Sequence, residues 1–364
     1  MNNCFFNLFA PNKSYKRVVL ITGASTGLGL ALTKELLASG QFHVIATARK
    51  SSLHRFASLG LFENENLWIR PLNVLSKSER DGVIIEATEK LGGIDVLVNN
   101  AGYCLRGVVE QVNETERLKQ VDTNFRAPMA LIRGVLPHMR KKRAGHIINI
   151  SSVGGMMAMP TMSIYSASKF ALEGATEALW YEVRPWNIKV CLIQPGFINS
   201  DSFKNVELTR ESRKSIQDKN NPYYYHYNSM APFIAKLMRL SPTTPEEIAK
   251  KIHGVINSNH PPLRVPVTVD AYVFDFLRKW LPRNLYHALM YYSLPRIFRW
   301  GEDDHYYSDA EYERNEMLKQ QVDYKNQELV RKKSTLKLLT YKDSKQNLQY
   351  VHHDIPQQNQ NSTG

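Results

Sequence analysis

The fold is decided by residues 17–29, Arg17-Val-Val-Leu-Ile-Thr-Gly-Ala-Ser-Thr-Gly-Leu-Gly29. An apolar, β-branched run through Thr22 predicts a strand, and a helical pattern begins at Gly27. Glycines between a strand and a helix permit a tight turn and let the backbone approach a ligand closely. The helix N-terminus adds unpaired N–H groups and a partial positive charge, which suit a pyrophosphate. The stretch therefore predicts a phosphate-binding turn, with a tight connection that holds no ligand as the alternative. The binding residues expected in this turn are Gly23, Ser25, Thr26, Gly27, Leu28 and Gly29.

The chain as far as about residue 266 repeats the pattern of a short apolar strand followed by a longer helix. Further strands are predicted at 43–48, 67–72, 95–99, 146–151 and 189–194. Helices are predicted at 27–38, 77–91, 115–136, 165–183 and 245–257, with Ser76 and Thr244 as caps of two of them. Strands that alternate with helices form a parallel sheet covered on both faces. The sequence thus predicts an α/β fold, a doubly wound parallel sheet of Rossmann type with helices on both faces.

Two segments depart from this alternation. Residues 199–241 are polar and tyrosine-rich, and we interpret them as a substrate loop within a catalytic domain of residues 16–270. Residues 271–301 mix aromatic and basic side chains, which predicts an amphipathic helical extension. Three roles fit that extension: peripheral contact with a membrane, a cover for the substrate pocket, or a dimer contact. Residues 302–364 are polar and predict a largely disordered tail, and residues 1–15 form an N-terminal arm.

The composition limits the class of protein. Three cysteines, Cys4, Cys104 and Cys191, lie far apart without a Cys-x-x-Cys pair, so neither a disulfide framework nor a zinc site is expected. The eleven histidines form no H-E-x-x-H motif, and no metal is predicted. The N-terminus lacks a basic leader, and no apolar run reaches the roughly 18–20 residues of a membrane span. We expect a cytoplasmic protein. Its net charge of +13 indicates a phosphate cofactor or a membrane surface as anionic partner, rather than nucleic acid, with solubility alone as the alternative.

The end of the predicted second strand indicates which dinucleotide binds. The run from Ala46 to Lys50 has no carboxylate where a ribose 2′-hydroxyl would be held, and it offers Arg49 and Lys50 instead. A guanidinium can bind a phosphate through two hydrogen bonds. These residues predict a preference for NADP(H) over NAD(H), and the alternative is that they are solvated surface charges.

The segment from Ser151 to Lys169 carries residues suited to proton transfer. Tyr165 and Lys169 are four residues apart in a predicted helix, so their side chains are neighbours. A nearby cation lowers the pKa of a phenol from its usual value of about 10, which makes Tyr165 a candidate general acid and base. Ser152 follows an upstream strand, and strand alternation directs it away from Ser151. Tyr/Lys pairs are common on exposed helices, so the assignment depends on the motifs around this one.

Taken together, these motifs resemble those of the short-chain dehydrogenase/reductase family over about residues 16–270. In chain order the matching motifs are Thr22-Gly-Ala-Ser-Thr-Gly-Leu-Gly29, Asn99-Asn-Ala-Gly102, Asn124 within Val-Asp-Thr-Asn-Phe-Arg, Ser152, Tyr165-Ser-Ala-Ser-Lys169 and Pro195-Gly196. Each lies at the element boundary where the family has it. The features are closest to those of hydroxysteroid and retinol dehydrogenase-like members.

The resemblance implies a role for each matching residue. Tyr165 would be the general acid and base, and Ser152 would hydrogen-bond the substrate oxygen, so both would contact substrate. Lys169 would hold the nicotinamide ribose and lower the pKa of Tyr165. Asn124 would help to hold a water that links Lys169 to solvent. Cofactor contacts are also implied for Asn73, Val74, Asn100, Ala101, Gly102, Pro195, Gly196 and Ile198, besides Tyr165 and Lys169.

The function predicted from this resemblance is NADP(H)-dependent hydride transfer between nicotinamide and a carbonyl or alcohol. Four methionines between Ser152 and Tyr165 favour an apolar steroid-, retinoid- or lipid-like substrate, with core packing as the alternative. The resemblance also implies a homodimer or homotetramer. A non-catalytic dinucleotide-binding scaffold or redox sensor on the same fold is the alternative function, although a scaffold has no need of the four catalytic residues.

Overall fold

The computed structural model describes residues 16–200 and 206–301, which form nine strands and eleven α-helices. The strands are β1 (Arg17–Ile21), β2 (Phe42–Ala48), β3 (Leu67–Pro71), β4 (Val96–Asn99), β5 (Leu105–Arg106), β6 (Gly145–Ile150), β7 (Ile188–Gln194), β8 (Glu207–Leu208) and β9 (Arg264–Pro266). The helices are α1 (Gly27–Ser39), α2 (His54–Ser58), α3 (Lys77–Leu91), α4 (Glu114–Val121), α5 (Ala127–Lys142), α6 (Ser163–Val183), α7 (Arg210–Gln217), α8 (Tyr224–Leu240), α9 (Pro245–Asn257), α10 (Val269–Trp280) and α11 (Arg283–Tyr292). The predicted arm at 1–15 and the predicted tail at 302–364 lie outside the described residues.

Seven parallel strands form the main sheet in the order β3-β2-β1-β4-β6-β7-β9. The chain first builds outward from β1 to β3 and then returns to place β4 on the other side of β1, so the direction of winding reverses between β1 and β4. Brief strands β5 and β8 pair with each other in a separate parallel ladder. The predicted doubly wound α/β fold is therefore confirmed.

The strands are buried on both faces, as their nearly continuous apolar sequences require. In β1, Val19 and Ile21 pack into a core with α1 and α9, whereas Val18 and Leu20 pack into a second core with α3, α5 and the end of α6. This alternation follows from the two-residue period of a strand. An apolar layer thus packs on each face of the sheet. A ligand site is expected at the carboxyl ends of the strands, as in other open α/β sheets.

Helix starts agree with the predicted caps, but one helix is interrupted. The Ser76 and Thr244 hydroxyls accept hydrogen bonds from the N–H groups of Glu79 and Glu247, each at 3.3 Å. The segment predicted as one helix over 115–136 is helical throughout, but it contains a wide turn: α4 ends at Val121, a π-helical turn spans Asp122–Arg126, and α5 continues to Lys142. Apolar periodicity does not distinguish one wide turn from a regular one, so the sequence pattern runs through it.

The segment predicted as a substrate loop, 199–241, contains more regular structure than its polar sequence indicates. Its described part forms β8, α7 and α8, while residues 201–205 lie outside the description. The Tyr227 side chain is fully buried, and its hydroxyl accepts from the Val108 N–H and donates to Gln111 Oε1, both at 2.9 Å. A buried phenol thus ties α8 to the strand-β5 side of the domain. The predicted helical extension is present as α10 and α11.

Burial of His146 on β6 should make stability depend on pH. Desolvation lowers the pKa of His146 from 6.5 to about 4. The unfolded chain therefore binds a proton more readily, and the stability contributed by neutral His146 is complete above pH 6.5 and is lost as the pH falls towards 4. The loss amounts to about 3 kcal/mol at most, since each pKa unit corresponds to about 1.4 kcal/mol.

We expect His146→Gln to lose less stability between pH 7 and pH 5 than the parent chain in urea unfolding. His54→Gln, on an exposed position, is the control and should keep the parent's pH dependence. An unchanged slope in His146→Gln would show that other groups cause the dependence.

Candidate active site

The turn after β1 has a backbone conformation that glycine adopts readily. Gly23 and Gly27 have φ values of 66° and 54°. A Cβ on Gly29 would overlap the Gly23 carbonyl oxygen and would lie 2.5 Å from Asn100 Nδ2. Thr26 and Gly27 are exposed at the start of α1, and no side chain caps the first turn of this described helix. The turn is a close-packed cradle with free donors at its helix end, which fits a pyrophosphate.

Two further residues of the turn face inward. Ser25 is buried, and Leu28 packs against the core beneath α1. Among the residues predicted here, these two therefore shape the turn through packing, whereas Thr26 and Gly27 are the accessible ones.

Asn100 holds the turn in place from the end of β4. Its side-chain Nδ2 donates to the carbonyl oxygens of Thr22 (2.9 Å) and Gly23 (3.1 Å). The N–H groups of Asn100 and Ala101 both donate to Thr22 Oγ1 at 2.9 Å. The Asn100 amide is thus occupied by the protein backbone, and Thr22 is a supporting residue that the sequence analysis did not single out. A direct cofactor contact by Asn100 stays a prediction.

The ends of β2 and β3 lie side by side, because Ala48 pairs with Pro71. Arg49 and Lys50 are exposed immediately after buried Ala48. Asn73 is exposed after β3, where its Oδ1 accepts from the Leu75 N–H (3.1 Å), and Val74 packs into the core on the α3 face. The carboxyl edge of the sheet therefore places two cations and an amide near one another, beside the turn after β1.

Tyr165 and Ser152 meet beside Gly154. An ideal Cβ on Gly154 would lie 2.8 Å from Tyr165 Cε1 and 3.5 Å from Ser152 Oγ, so any larger residue here would displace the phenol. Lys169 lies one turn further along α6, with Nζ 5.9 Å from the centre of the Tyr165 ring. Its Nζ donates to the carbonyl oxygen of Ile150 (2.8 Å), which attaches the buried ammonium to the end of β6.

The two neighbouring serines have different environments. Ser151 Oγ donates to the buried Glu173 Oε1 (2.7 Å), inside the protein. Ser152 Oγ accepts from the Gly154 N–H (3.0 Å), on the side of Tyr165. Because that bond uses a lone pair of the Ser152 oxygen, its hydroxyl proton can be donated to Tyr165 or to a substrate oxygen that takes its place. The expected opposite directions of the two side chains are present.

Asn124 sits in the π-helical turn between α4 and α5. Its Oδ1 accepts from the Tyr103 N–H (3.2 Å), while Nδ2 donates to the Tyr103 carbonyl (3.0 Å) and to Ser168 Oγ (3.1 Å). An ideal Cβ on Gly102 would lie 3.0 Å from Asn124 Oδ1 and 3.9 Å from Lys169 Nζ. The Asn124 amide oxygen and the Lys169 ammonium therefore lie on either side of the same point. Single π-helical turns within α-helices are frequent at functional sites.

Burial shifts the pKa values of the central pair. Desolvation raises the pKa of Tyr165 above its ordinary value, and its hydrogen bond with Ser152 offsets part of that rise. Desolvation also lowers the pKa of Lys169 to about 8. Burial and the Cys104 thiol raise the pKa of Tyr165, and the Ser152 hydroxyl lowers it, so the effect of Lys169 on that pKa stays a prediction. Tyr165 is held as a neutral phenol at pH 7.

The loop after β7 is fixed by α10, which the sequence analysis missed. The Gly196 N–H donates to Thr268 Oγ1 (2.8 Å), and the Phe197 N–H donates to Asp270 Oδ2 (2.9 Å). A Cβ on Gly196 would overlap the Asp270 carboxylate. Pro195 is buried, and its carbonyl accepts from the Val153 N–H (2.8 Å), while Ile198 packs against the core. The signal in the sequence that could have indicated this contact is Asp270, an acid in the first turn of α10, more than 70 residues after Gly196.

The donors and cradle fit a nicotinamide dinucleotide better than a metal ion. Within residues 16–200 and 206–301, no three His, Cys, Asp or Glu side chains converge as metal ligands. The turn at Gly23–Gly29 and the cations after β2 would hold the phosphates, and Lys169 and Tyr165 would lie at the nicotinamide end.

Comparisons with known proteins agree with this geometry. The sequence model of the short chain dehydrogenase family matches residues 17–211. The chain is 36% identical over 283 residues to 3-ketodihydrosphingosine reductase of Bacteroides thetaiotaomicron, covering 78% of this chain and 97% of that protein. It is 34% identical over 257 residues to retinol dehydrogenase 8 of Homo sapiens, covering 68% and 80%. The solved structure of ElxO with NADP bound matches with a TM-score of 0.55 and 27% identity, over 71% of this chain and 99% of that chain.

A methyl group at Gly29 tests the cradle. Gly29→Ala would force the Gly23 carbonyl and the Asn100 amide apart, and we expect affinity for a nicotinamide dinucleotide to fall about tenfold or more, equivalent to about 1.4 kcal/mol. Isothermal titration with NADPH measures this. Gly82→Ala in α3, where a Cβ meets no atom within 4 Å, is the matched control and should bind as the parent does. Equal affinity in both variants would rule out the turn as the phosphate site.

Proposed function

The chain belongs to the short-chain dehydrogenase family of oxidoreductases, and we propose that it is an NADP(H)-dependent member acting on the carbonyl or alcohol group of an apolar substrate. The observation that carries the proposal is the meeting of Ser152 and Tyr165 beside Gly154, with Lys169 one helical turn further on. A chain that only binds a dinucleotide does not need this arrangement.

In the proposed mechanism, Tyr165 Oη exchanges a proton with the substrate oxygen. A bound nicotinamide dinucleotide supplies or accepts the hydride. Tyr165, whose pKa is raised by burial, carries its proton on Oη at neutral pH and can donate it to a carbonyl oxygen during reduction. The Ser152 hydroxyl would donate to that oxygen in place of Tyr165 and stabilise the negative charge that develops on it. In the direction of alcohol oxidation, Tyr165 must first lose its proton, so that direction is favoured at high pH.

Lys169 and Asn124 are proposed to return a proton to Tyr165 Oη after Tyr165 has donated its own. With a pKa of about 8, Lys169 can gain and lose a proton near neutral pH. Both donors of the Asn124 amide are engaged, but its Oδ1 has a second lone pair beside the point that it shares with Lys169 Nζ. A water bound at that point would connect Lys169 to solvent.

The preference for NADP(H) is proposed from Arg49 and Lys50. Both are exposed after β2, at the sheet edge next to the phosphate turn, where a 2′-phosphate would find a bidentate partner. The NADP-bound ElxO structure supports the proposal, because it shares the fold and 27% of its sequence with this chain.

The apolar substrate is proposed from the surroundings of the site and from the relatives. Met157, Met159 and Met162 are partly exposed between Ser152 and Tyr165, whereas Met156 is buried and packs with Val153 and Ala271. The names of two relatives denote a ketone or alcohol on a long apolar molecule, 3-ketodihydrosphingosine and retinol. A cytoplasmic location and a homodimer or homotetramer remain predictions.

Removal of the phenol oxygen of Tyr165 distinguishes the proposed enzyme from a non-catalytic dinucleotide-binding scaffold. We expect Tyr165→Phe to lower turnover of ketone substrates by about 10²–10⁴-fold, because the proton donor is lost, while NADPH affinity stays within a few-fold. NADPH consumption with a panel of apolar ketones measures turnover. Tyr181→Phe, on the exposed face of α6, is the control. Undiminished turnover in Tyr165→Phe would refute the mechanism, and a parent chain that binds NADPH without turning over any substrate would favour the scaffold.

Removal of the guanidinium at Arg49 tests the choice of dinucleotide. We expect Arg49→Ala to weaken NADPH binding roughly ten- to a hundredfold, as for a lost charge-assisted hydrogen bond, and to leave NADH binding nearly unchanged. The control is Arg133→Ala, an exposed arginine on α5. Equal losses for both dinucleotides would contradict the assignment.

A further inference from the structure

Helix α10 exposes an apolar stripe to solvent. Its members are Val269, Tyr272, Val273, Phe276 and Trp280, which are between 50% and 73% exposed. Their spacing of three, four, seven and eleven residues from the first places them on one face of an α-helix. Apolar side chains that served only the folding of the domain would be buried. This stripe is exposed, which is typical of a surface that binds a partner.

The opposite face of α10 fixes the direction in which the stripe points. Ala271 is fully buried and packs with Val153 and Met156, and Phe274 packs against the same cluster. Asp270 accepts from the Phe197 N–H on this side. The helix cannot turn its stripe inward without breaking these contacts beside the active site.

Helix α11 and the residues after it continue the apolar surface. Leu285, Leu289 and Tyr292 are exposed at helical spacing, while Tyr286 on the other side is buried. Phe298 follows and is 79% exposed. We call the exposed apolar side chains of residues 269–298 the docking surface.

Basic side chains outnumber acidic ones in the segment that carries the docking surface, and two of them stack on rings of the domain, Arg278 on Phe170 and Arg299 on Tyr225. Residues 269–299 contain five, Arg278, Lys279, Arg283, Arg296 and Arg299, against two acids, Asp270 and Asp275. Both acids have partners: Asp270 accepts from Phe197, and Asp275 pairs with Lys279 Nζ at 2.6 Å. An apolar, Trp- and Tyr-containing face on a segment with a net positive charge matches the boundary of an anionic bilayer, where aromatic rings and cations bind together.

We propose that the docking surface binds the surface of an anionic lipid bilayer. Helices α10 and α11 lie in the plane of the lipid headgroups, with the stripe towards the acyl chains. None of the described helices is long and apolar enough to cross a membrane. A second copy of the chain is a poorer occupant. A twofold contact would bring the positively charged 269–299 segments of the two copies together, and like charges repel. The proposal does not rest on the proposed activity.

Vesicle flotation of the full chain tests the proposal. We expect the chain to float with vesicles of phosphatidylcholine and phosphatidylserine, to float less with phosphatidylcholine alone, and to be released by high salt. The double variant Phe276→Ser/Trp280→Ser should lose most of its binding. Its control is Phe62→Ser/Tyr181→Ser, which removes two aromatic rings of similar exposure elsewhere and should float as the parent does. Circular dichroism and thermal unfolding verify that all variants are folded.

A second measurement locates the contact. Brominated lipid should quench tryptophan fluorescence of the parent, and Trp280→Phe should lose most of that quenching while it still floats. A parent chain that does not float, or stripe and control variants that float equally, would overturn the proposal. So would a stripe variant whose only change is conversion of an oligomer to a monomer in analytical ultracentrifugation, which would assign the surface to a second copy.

Discussion

The hydrogen bonds between Thr22 and the Asn100–Ala101 backbone are the constraint on which the site depends. They join the carboxyl ends of β1 and β4, the two strands between which the winding of the sheet reverses. Chains diverge to opposite faces at such a point, and a crevice opens there. The Asn100 amide also holds the glycine turn open towards that crevice, so one cluster of bonds sets both the sheet edge and the phosphate cradle.

The side of the crevice that carries Tyr165 is held by a second buried network. Glu173, one turn beyond Lys169 on α6, accepts from Ser151 Oγ (2.7 Å) and from Gln194 Nε2 (2.8 Å). These bonds attach α6 to the ends of β6 and β7, and the Lys169–Ile150 bond adds a third attachment. Tyr165 thus stands on a helix fixed at several points, which keeps its distance to Ser152 constant. Preorganisation of this kind is what electrostatic stabilisation of a reacting oxygen requires.

The sequence predicted those parts of the molecule that local patterns control. Apolar periodicity located six of the seven strands of the main sheet, hydroxyl residues before helices marked two caps, and strand alternation separated Ser152 from Ser151. Features set by distant contacts were missed. The wide turn at Asn124, the helices of the polar segment before Ser241 and the contacts of Thr268 and Asp270 all depend on partners far along the chain. Helical spacing also reveals the neighbouring ammonium of Lys169 but not the depth at which Tyr165 is buried, and that burial raises the pKa of Tyr165.

The contact between Gly196 and Asp270 has a consequence for how this chain can be divided. The family match ends at residue 211, yet the loop after β7 receives its two backbone acceptors from residues 268 and 270. A fragment cut at the end of the match would contain Ser152, Tyr165 and Lys169 but would leave the Gly196 and Phe197 N–H groups without these acceptors. The smallest fragment that keeps both hydrogen bonds must therefore extend to Asp270, well beyond the region that the family model matches.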